Sequence, residues 1–193
     1  MDPKDSQQED EQIAGLVQSG KSEFFGILIN RYQDKITRYA RKFLSDADQT
    51  KDIVQEVFIK AYVNIQSFDT KRKFSPWLYR IAHNEFVNTL RKNQNRFLPI
   101  FNLDTFFPHY ASKDIGISEQ LERKEMKELV EVCVNKLEVK YKEPIILYYI
   151  EELSYKEIAD VMAIPVSTVG IRIKRAKDMM QEIFKQEGFQ YGK

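Results

Sequence analysis

The sequence predicts an all-α protein of two small helical domains joined by a linker. Glycine and proline are scarce, 7 and 6 in 193 residues. Apolar residues recur at spacings of three and four, with β-branched alternation absent over any useful length. Between about residues 93 and 117 that period stops, across a stretch with two prolines and many irregularly placed rings.

Taken in order, the acidic opening MDPKDSQQEDEQ leads into a short helix at about 10–18. Helices follow at about 22–44, 48–65 and 75–92. Asp46 with Gln49 three residues on has the spacing of a capping box, and Ser75 before Pro76 reads as an N-cap with proline in the first turn. The interruption QNRFLPIFNLDTFFPHYASKDIGI is greasy for a linker, because Phe97, Phe101, Phe106, Phe107 and Tyr110 disfavour a solvated coil. Those rings pack back on a neighbouring domain or dock on a partner; the sequence leaves both open. Helices resume at about 118–137, 140–151, 155–162 and 166–186. The organisation is then an arm and short helix over 1–20, a first domain over 21–95, a linker over 96–117 and a second domain over 118–187, with no internal repeat.

Composition removes several classes of function. No apolar run approaches the roughly 18 to 20 residues that cross a bilayer, and the opening is not a basic start before an apolar core, so direct membrane insertion is not expected and the cytoplasm is the default location. The lone Cys133 makes no internal disulfide and, with only His83 and His109, no zinc site; it reads as a small core residue. No cofactor, metal or catalytic residue is expected. A net charge of +1 rules out a uniformly basic coat, so any nucleic-acid surface has to be local.

Local basic faces do occur. In SYKEIADVMAIPVSTVGIRIKRA, Ser154 and Glu157 have capping-box spacing, Met162 to Ile164 form a brief turn, and Pro165 suits the start of the next helix. At 100° per residue Val169, Ile173, Ala176 and Met180 make one narrow apolar stripe, opposite Ser167, Thr168, Ile171, Lys174 and Arg175. Two helices so joined, the second with a polar and basic face, are the helix-turn-helix arrangement that fits the major groove. An ordinary helical hairpin with a solvated face has the same pattern.

The first half offers two more faces. In KDIVQEVFIKAYVNI, Ile53, Val54, Val57, Phe58, Ala61 and Ile65 form a core stripe, while Asp52, Gln55, Glu56, Ile59 and Val63 gather on the reverse side. Carboxylates mixed with aliphatics suit a protein-binding face, and a fully buried central helix explains Ile59 and Val63 equally well. In PWLYRIAHNEFVNTLRK, Trp77, Leu78, Ile81, Ala82 and Glu85 share one side, and Arg80, Asn84, Val87 and Arg91 another, flanked by His83. Just before it, QSFDTKRKF sets Lys71, Arg72 and Lys73 beside Phe68 and Phe74, a combination of cations and rings suited to gripping a single strand, or an ordinary exposed loop.

The order of these parts resembles a bacterial RNA polymerase sigma factor of the extracytoplasmic function (ECF) group. The likeness rests on DIVQEVFIKAYVNIQSF, then FSPWLYRIAHNEFVNTLRK, a linker, and LSYKEIADVMAIPVSTVGIRIKRAK, and spans about residues 20–184 apart from the linker. It implies a first domain like the family's region 2 and a second like its region 4 helix-turn-helix. By position, Asp52, Gln55, Glu56 and Ile59 match the helix that docks on the clamp helices of core RNA polymerase's largest subunit. Residues 67–74, with Phe68, Lys71, Arg72 and Lys73, match the loop that captures a flipped base of the opened minus-ten strand. Arg80, His83, Asn84, Val87 and Arg91 lie on the helix facing that element. Ser167, Thr168, Ile171, Arg172, Lys174 and Arg175 match the helix that reads the minus-thirty-five duplex. The linker matches the connector threaded toward the RNA exit channel, and an anti-sigma factor is an implied partner alongside promoter DNA.

This chain departs from the family pattern at two places. Many relatives carry a glycine in the turn and a cation shortly after the threonine of the reading helix, where this sequence has Ala163 and Gly170. A glycine inside a helix costs about 1 kcal/mol against alanine, and here it also removes a phosphate contact, which implies weaker or altered upstream recognition. Two rivals remain at this level. One is a regulator using the helix-turn-helix with a ligand or dimerisation domain ahead of it. The other is an enzyme acting on nucleic acid, for which no carboxylate cluster or nucleophile with a nearby histidine is evident.

Overall fold

The computed structural model describes residues 8–44, 46–92, 126 and 129–186. The predicted linker and its rings Phe97, Phe101, Phe106, Phe107 and Tyr110 lie outside these residues, as do the first part of the predicted 118–137 helix and the extreme amino-terminal arm. Among the described residues every regular element is helical. The chain divides into two compact units, the first holding α1 to α4 and the second most of the remaining helical residues.

The first unit is made of α1 (Asp10–Gln18), α2 (Phe25–Arg41), α3 (Ala47–Val63) and α4 (Phe74–Lys92), with 3₁₀ turns at Ser22–Phe24 and Ile65–Ser67. Each long helix buries one stripe. In α4, Phe74, Leu78, Ala82 and Phe86 repeat every four residues with Tyr79 beside them, and α2 buries Ile27, Leu28, Tyr32, Ile36 and Tyr39. These stripes meet because α3 packs against both α2 and α4. Tyr39, fully buried, stands at the centre: its ring lies 5.4 Å from Tyr79, 5.1 Å from Phe86 and 5.3 Å from Phe43, in edge-on or tilted contacts that suit aromatic quadrupoles.

A polar network fastens α1 to α2. The Arg31 guanidinium donates to the Gln8 carbonyl at 2.8 Å and pairs with the Asp10 carboxylate, whose second oxygen accepts from the Tyr32 hydroxyl. Burial first, then the hydrogen bond to Asp10, pushes the Tyr32 phenol well above its usual range, so it stays a neutral donor at all ordinary pH. The start of α3 shows the N-cap half of the predicted box, with the Asp46 carboxylate accepting from the amides of Asp48 and Gln49 at 2.9 and 3.0 Å. The start of α4 is not. This helix begins at Phe74, one residue before the expected Ser75 cap, and the Phe74 amide donates at 2.8 Å to the Glu11 carboxylate of α1. A tertiary partner has replaced the local cap.

The second unit contains helical residues 129–135 (α5), α6 (Val139–Tyr149), the first five residues of α7 (Tyr155–Met162) and α8 (Val166–Gln186). α6 is buried along Lys142 to Leu147 and packs on α8, whose Val169, Ile173 and Ala176 are its buried stripe. Cys133 is buried here as a core residue. α7 starts with a reciprocal capping box: the Ser154 amide donates to Glu157 Oε2 at 2.7 Å, and the Glu157 amide to Ser154 Oγ at 3.3 Å. It ends in a Schellman-type closure, the Ile164 amide donating to the Ala159 carbonyl at 3.1 Å. That closure puts Ala163 in the left-handed region, φ 52°.

Two measurements follow from these positions. A left-handed alanine is strained by roughly 1–2 kcal/mol, part of which glycine returns through its greater unfolded-state entropy. Ala163→Gly is therefore expected to stabilise the closure between α7 and α8 by up to about 1 kcal/mol, read as a higher midpoint in thermal unfolding followed by circular dichroism. Lys142 is buried, and that burial lowers its pKa to about 8 from the 10.5 of an ordinary lysine. The unfolded chain then binds more protons than the folded one between those two values, so stability rises with pH through that window, by roughly 3 kcal/mol in all. Denaturant titrations from pH 7 to 10.5 should show the rise in the wild type and its loss in Lys142→Met.

Candidate partner and nucleic-acid interfaces

The outer side of α3 is open. Asp52, Gln55, Glu56 and Ile59 are all exposed, as are Tyr62 and Val63 one turn further on. Ile59 is 49% and Val63 71% accessible, which removes the alternative of a fully buried central helix. Beside them runs a groove of about 470 Å³ between α2 and α3, walled mainly by Phe25, Ile29, Val54, Phe58, Ile59 and Tyr62. Carboxylates border this apolar slot, a pattern that suits an amphipathic helix presenting apolar side chains and cations. Lys60 lies between two of the acids, 3.5 Å from Glu56 and 2.7 Å from Glu85 on α4. The hydrogen bond to Glu85 leads the effects that hold its pKa above the ordinary lysine value.

Between α3 and α4 the chain is pinned at both ends by buried rings. Phe68 is 4% and Phe74 1% accessible, and the two meet edge-on at 5.4 Å with Trp77 against both, at 5.2 and 5.5 Å. Phe68 and Phe74, which the sequence sets beside the cations as a grip for a single strand, are buried in the core of the free protein, and their burial fixes the two ends of the exposed segment 69–73. Within it the Asp69 carboxylate accepts from the Lys71 amide at 3.0 Å and the Asp69 carbonyl from the Arg72 amide at 2.9 Å, a tight Asx-type turn. Lys71, Arg72 and Lys73 are exposed on that turn. From it rises α4, on which Arg80, Asn84 and Arg91 are exposed and His83 and Val87 half-buried.

Sequence reasoning missed the part that α1 plays here. Gln18 at its end donates to the carbonyls of Ile65 and Phe68, at 2.7 and 2.8 Å, and the Gln66 side chain donates back to the Gln18 carbonyl at 3.0 Å. Glu11 holds the other end through Phe74. No local pattern announces contacts between residues some 50 apart.

On α8, Ser167, Ile171, Lys174 and Arg175 are exposed on the side away from Val169, Ile173 and Ala176, and Thr168 and Arg172 are half-buried, flanking that stripe. Ile171 is 54% accessible, a large aliphatic left among cations. Gly170 flanks this face, and a methyl added to it would lie 3.6 Å from the Tyr155 ring, an ordinary contact. Tyr155 in turn packs against Tyr148, which meets Tyr149 edge-on at 4.8 Å, and the Lys177 ammonium sits 5.1 Å over the Tyr149 ring. The hydrogen bond to Tyr149 raises the pKa of Lys177. Among the described residues no three His, Cys, Asp or Glu side chains converge as metal ligands, and no helix is long and apolar enough to cross a membrane.

Comparison with known proteins finds matches over both halves of the chain. Residues 28–96 match the Sigma-70 region 2 family and residues 127–180 the Sigma-70, region 4 family. The chain is 35% identical to the ECF RNA polymerase sigma factor SigW of Bacillus subtilis over 175 residues, 86% of this chain and 91% of that one. It is 34% identical to the ECF RNA polymerase sigma-E factor of Escherichia coli K12 over 174 residues, 88% of this chain and 91% of that one. Among solved structures, CnrH in complex with the cytosolic domain of CnrY superposes with a TM-score of 0.68 at 26% identity, covering 92% of this chain and 97% of CnrH.

Because the site at Gly170 has room for a methyl and lies inside a 21-residue helix, Gly170→Ala should stabilise α8 by about 1 kcal/mol. Thermal unfolding should show a midpoint roughly 4–8 °C higher for the unit that contains it.

Proposed function

Since the chain belongs to the ECF group of RNA polymerase sigma factors, we propose a division of labour between its two units and name the side chains that carry it. As a member, it binds core RNA polymerase, directs it to specific promoters and helps to open the DNA there, while the polymerase makes the bonds. In our assignment the first unit docks on the clamp helices through Asp52, Gln55, Glu56 and Ile59. The observation that carries this is the exposure of Ile59 and Val63 beside acids and above an apolar groove, a surface that water alone does not favour.

The minus-ten element falls to the pinned turn and α4. Lys71, Arg72 and Lys73 attract the phosphates of the displaced strand, and Arg80, His83, Asn84, Val87 and Arg91 line its path. With Phe68 in the core, an extruded base is received by the polar turn rather than by stacking on that ring. The minus-thirty-five duplex falls to α8. Ser167, Thr168 and Ile171, in the first turns, reach base edges, and Arg172, Lys174 and Arg175 meet phosphates. Gly170 supplies no cation, so upstream recognition leans on those three.

Two weak contacts held at fixed separation by the polymerase give an affinity and a spacing requirement that neither has alone. A net charge of +1 fits this, because a free chain with little phosphate attraction joins core before it finds DNA. The action is cytoplasmic, where polymerase and promoters are. Control by an anti-sigma factor completes the assignment, supported by the similarity to CnrH, which is known in complex with the cytosolic domain of CnrY. A partner covering the α3 groove keeps the chain from core.

Reconstitution tests this. Added to purified core polymerase on genomic templates, the chain should start transcripts at a defined set of sites; output identical to core alone would end the assignment. Ile59→Glu should weaken core binding about tenfold or more, roughly the loss of one well-buried aliphatic anchor, while leaving duplex binding by the second unit unchanged.

A further inference from the structure

We infer that α1 is a positioning element for strand capture, and that Gln18 and Glu11 are the residues through which it acts. The inference rests on the minus-ten assignment and adds to it a part of the chain that touches no DNA. Three contacts converge on one short segment. Gln18 Nε2 donates to the Ile65 carbonyl at 2.7 Å and the Phe68 carbonyl at 2.8 Å, closing the 3₁₀ turn at the near end. Glu11 Oε1 accepts from the Phe74 amide at 2.8 Å, closing the far end where α4 begins. Between them a methyl built on Gly15 would stand 3.8 Å from Thr70 Cγ2, so the middle of α1 lies directly against the segment it brackets.

The bracket is itself anchored. Asp10 holds Arg31 and Tyr32 of α2, and the Tyr32 ring meets Phe74 at 5.5 Å. The exposed run 69–73 therefore has both ends tied to α1, and α1 tied to the core. Carbonyl groups of a turn are ordinarily met by water, which lets the turn sample other shapes; a side chain from a distant helix supplies the same bonds in one shape only. Receiving an unstacked base requires a receptor already formed, because ordering a loose turn at the moment of binding subtracts from affinity. Gln18 and Glu11 complete that ordering in advance.

The sole tryptophan gives the test a local reporter, since Trp77 touches both Phe68 and Phe74. Wild type, Gln18→Leu, Glu11→Ala and Glu11→Gln would each be assembled with core polymerase. Core affinity, Trp77 emission of the free chain, and binding of a labelled single strand carrying the minus-ten sequence of a promoter mapped by its transcript start would then be measured. Gln18→Leu and Glu11→Ala should lose about tenfold in strand affinity, the order expected when one or two ordinary hydrogen bonds no longer preorganise the turn, with core affinity unchanged and a shifted Trp77 emission. Glu11→Gln keeps an acceptor for the Phe74 amide and should behave as wild type. Strand affinity unaltered in both disruptive variants overturns the inference and leaves the family assignment standing. Equal loss of core and strand binding with lowered thermal stability also overturns it, since α1 would then be support for the whole unit. Wild-type chain that binds core but no strand would remove the minus-ten assignment on which it rests.

Discussion

The first unit depends on keeping two phenylalanine rings out of water. Phe68 and Phe74 lie five exposed residues apart, and their mutual contact, shared with Trp77, fixes both ends of the basic turn. Burying a ring of this size contributes roughly 2–3 kcal/mol, more than the exposed lysines and arginine gain from any solvent-screened contact of their own. The charged side chains are therefore held by the apolar ones. α4 begins where the second ring is anchored, so the direction of Arg80, Asn84 and Arg91 follows from the same burial.

Helices of this chain were legible mainly through their apolar stripes, and α3 and α7 also through a capping residue at their start. The positions of α1, α7 and α8, and the caps at Asp46 and Ser154, follow from spacing alone. What spacing does not contain is the partner of a helix end. Ser75 before Pro76 has the right residues for a cap, yet a carboxylate sixty-three positions earlier reaches the chain first and moves the start to Phe74. The same limit hid Gln18. A glutamine at the end of a short helix looks like any solvated residue until the fold brings the Ile65 and Phe68 carbonyls to it.

The exposed faces were legible in outline, and the burial of two rings was not. Ile59 and Val63 were visible as aliphatics on the wrong side of an amphipathic helix, and only the packing of α3 removed the reading of a fully buried helix. The rings of QSFDTKRKF were visible as neighbours of cations; that neighbourhood suggested stacking, whereas the fold uses the rings as fasteners and leaves the cations outside. For α8 the stripe of Val169, Ile173 and Ala176 was sufficient, because a helix with one buried side has its other side determined. The replacement of a cation by Gly170 is visible in sequence, but its neighbour Tyr155 is not.

The open aliphatics of α3 burden only the uncomplexed protein. On the docking assignment proposed above, a partner over Ile59 and Val63 turns them into interior; in the solitary chain they stand in water, a cost that any cover of that face relieves.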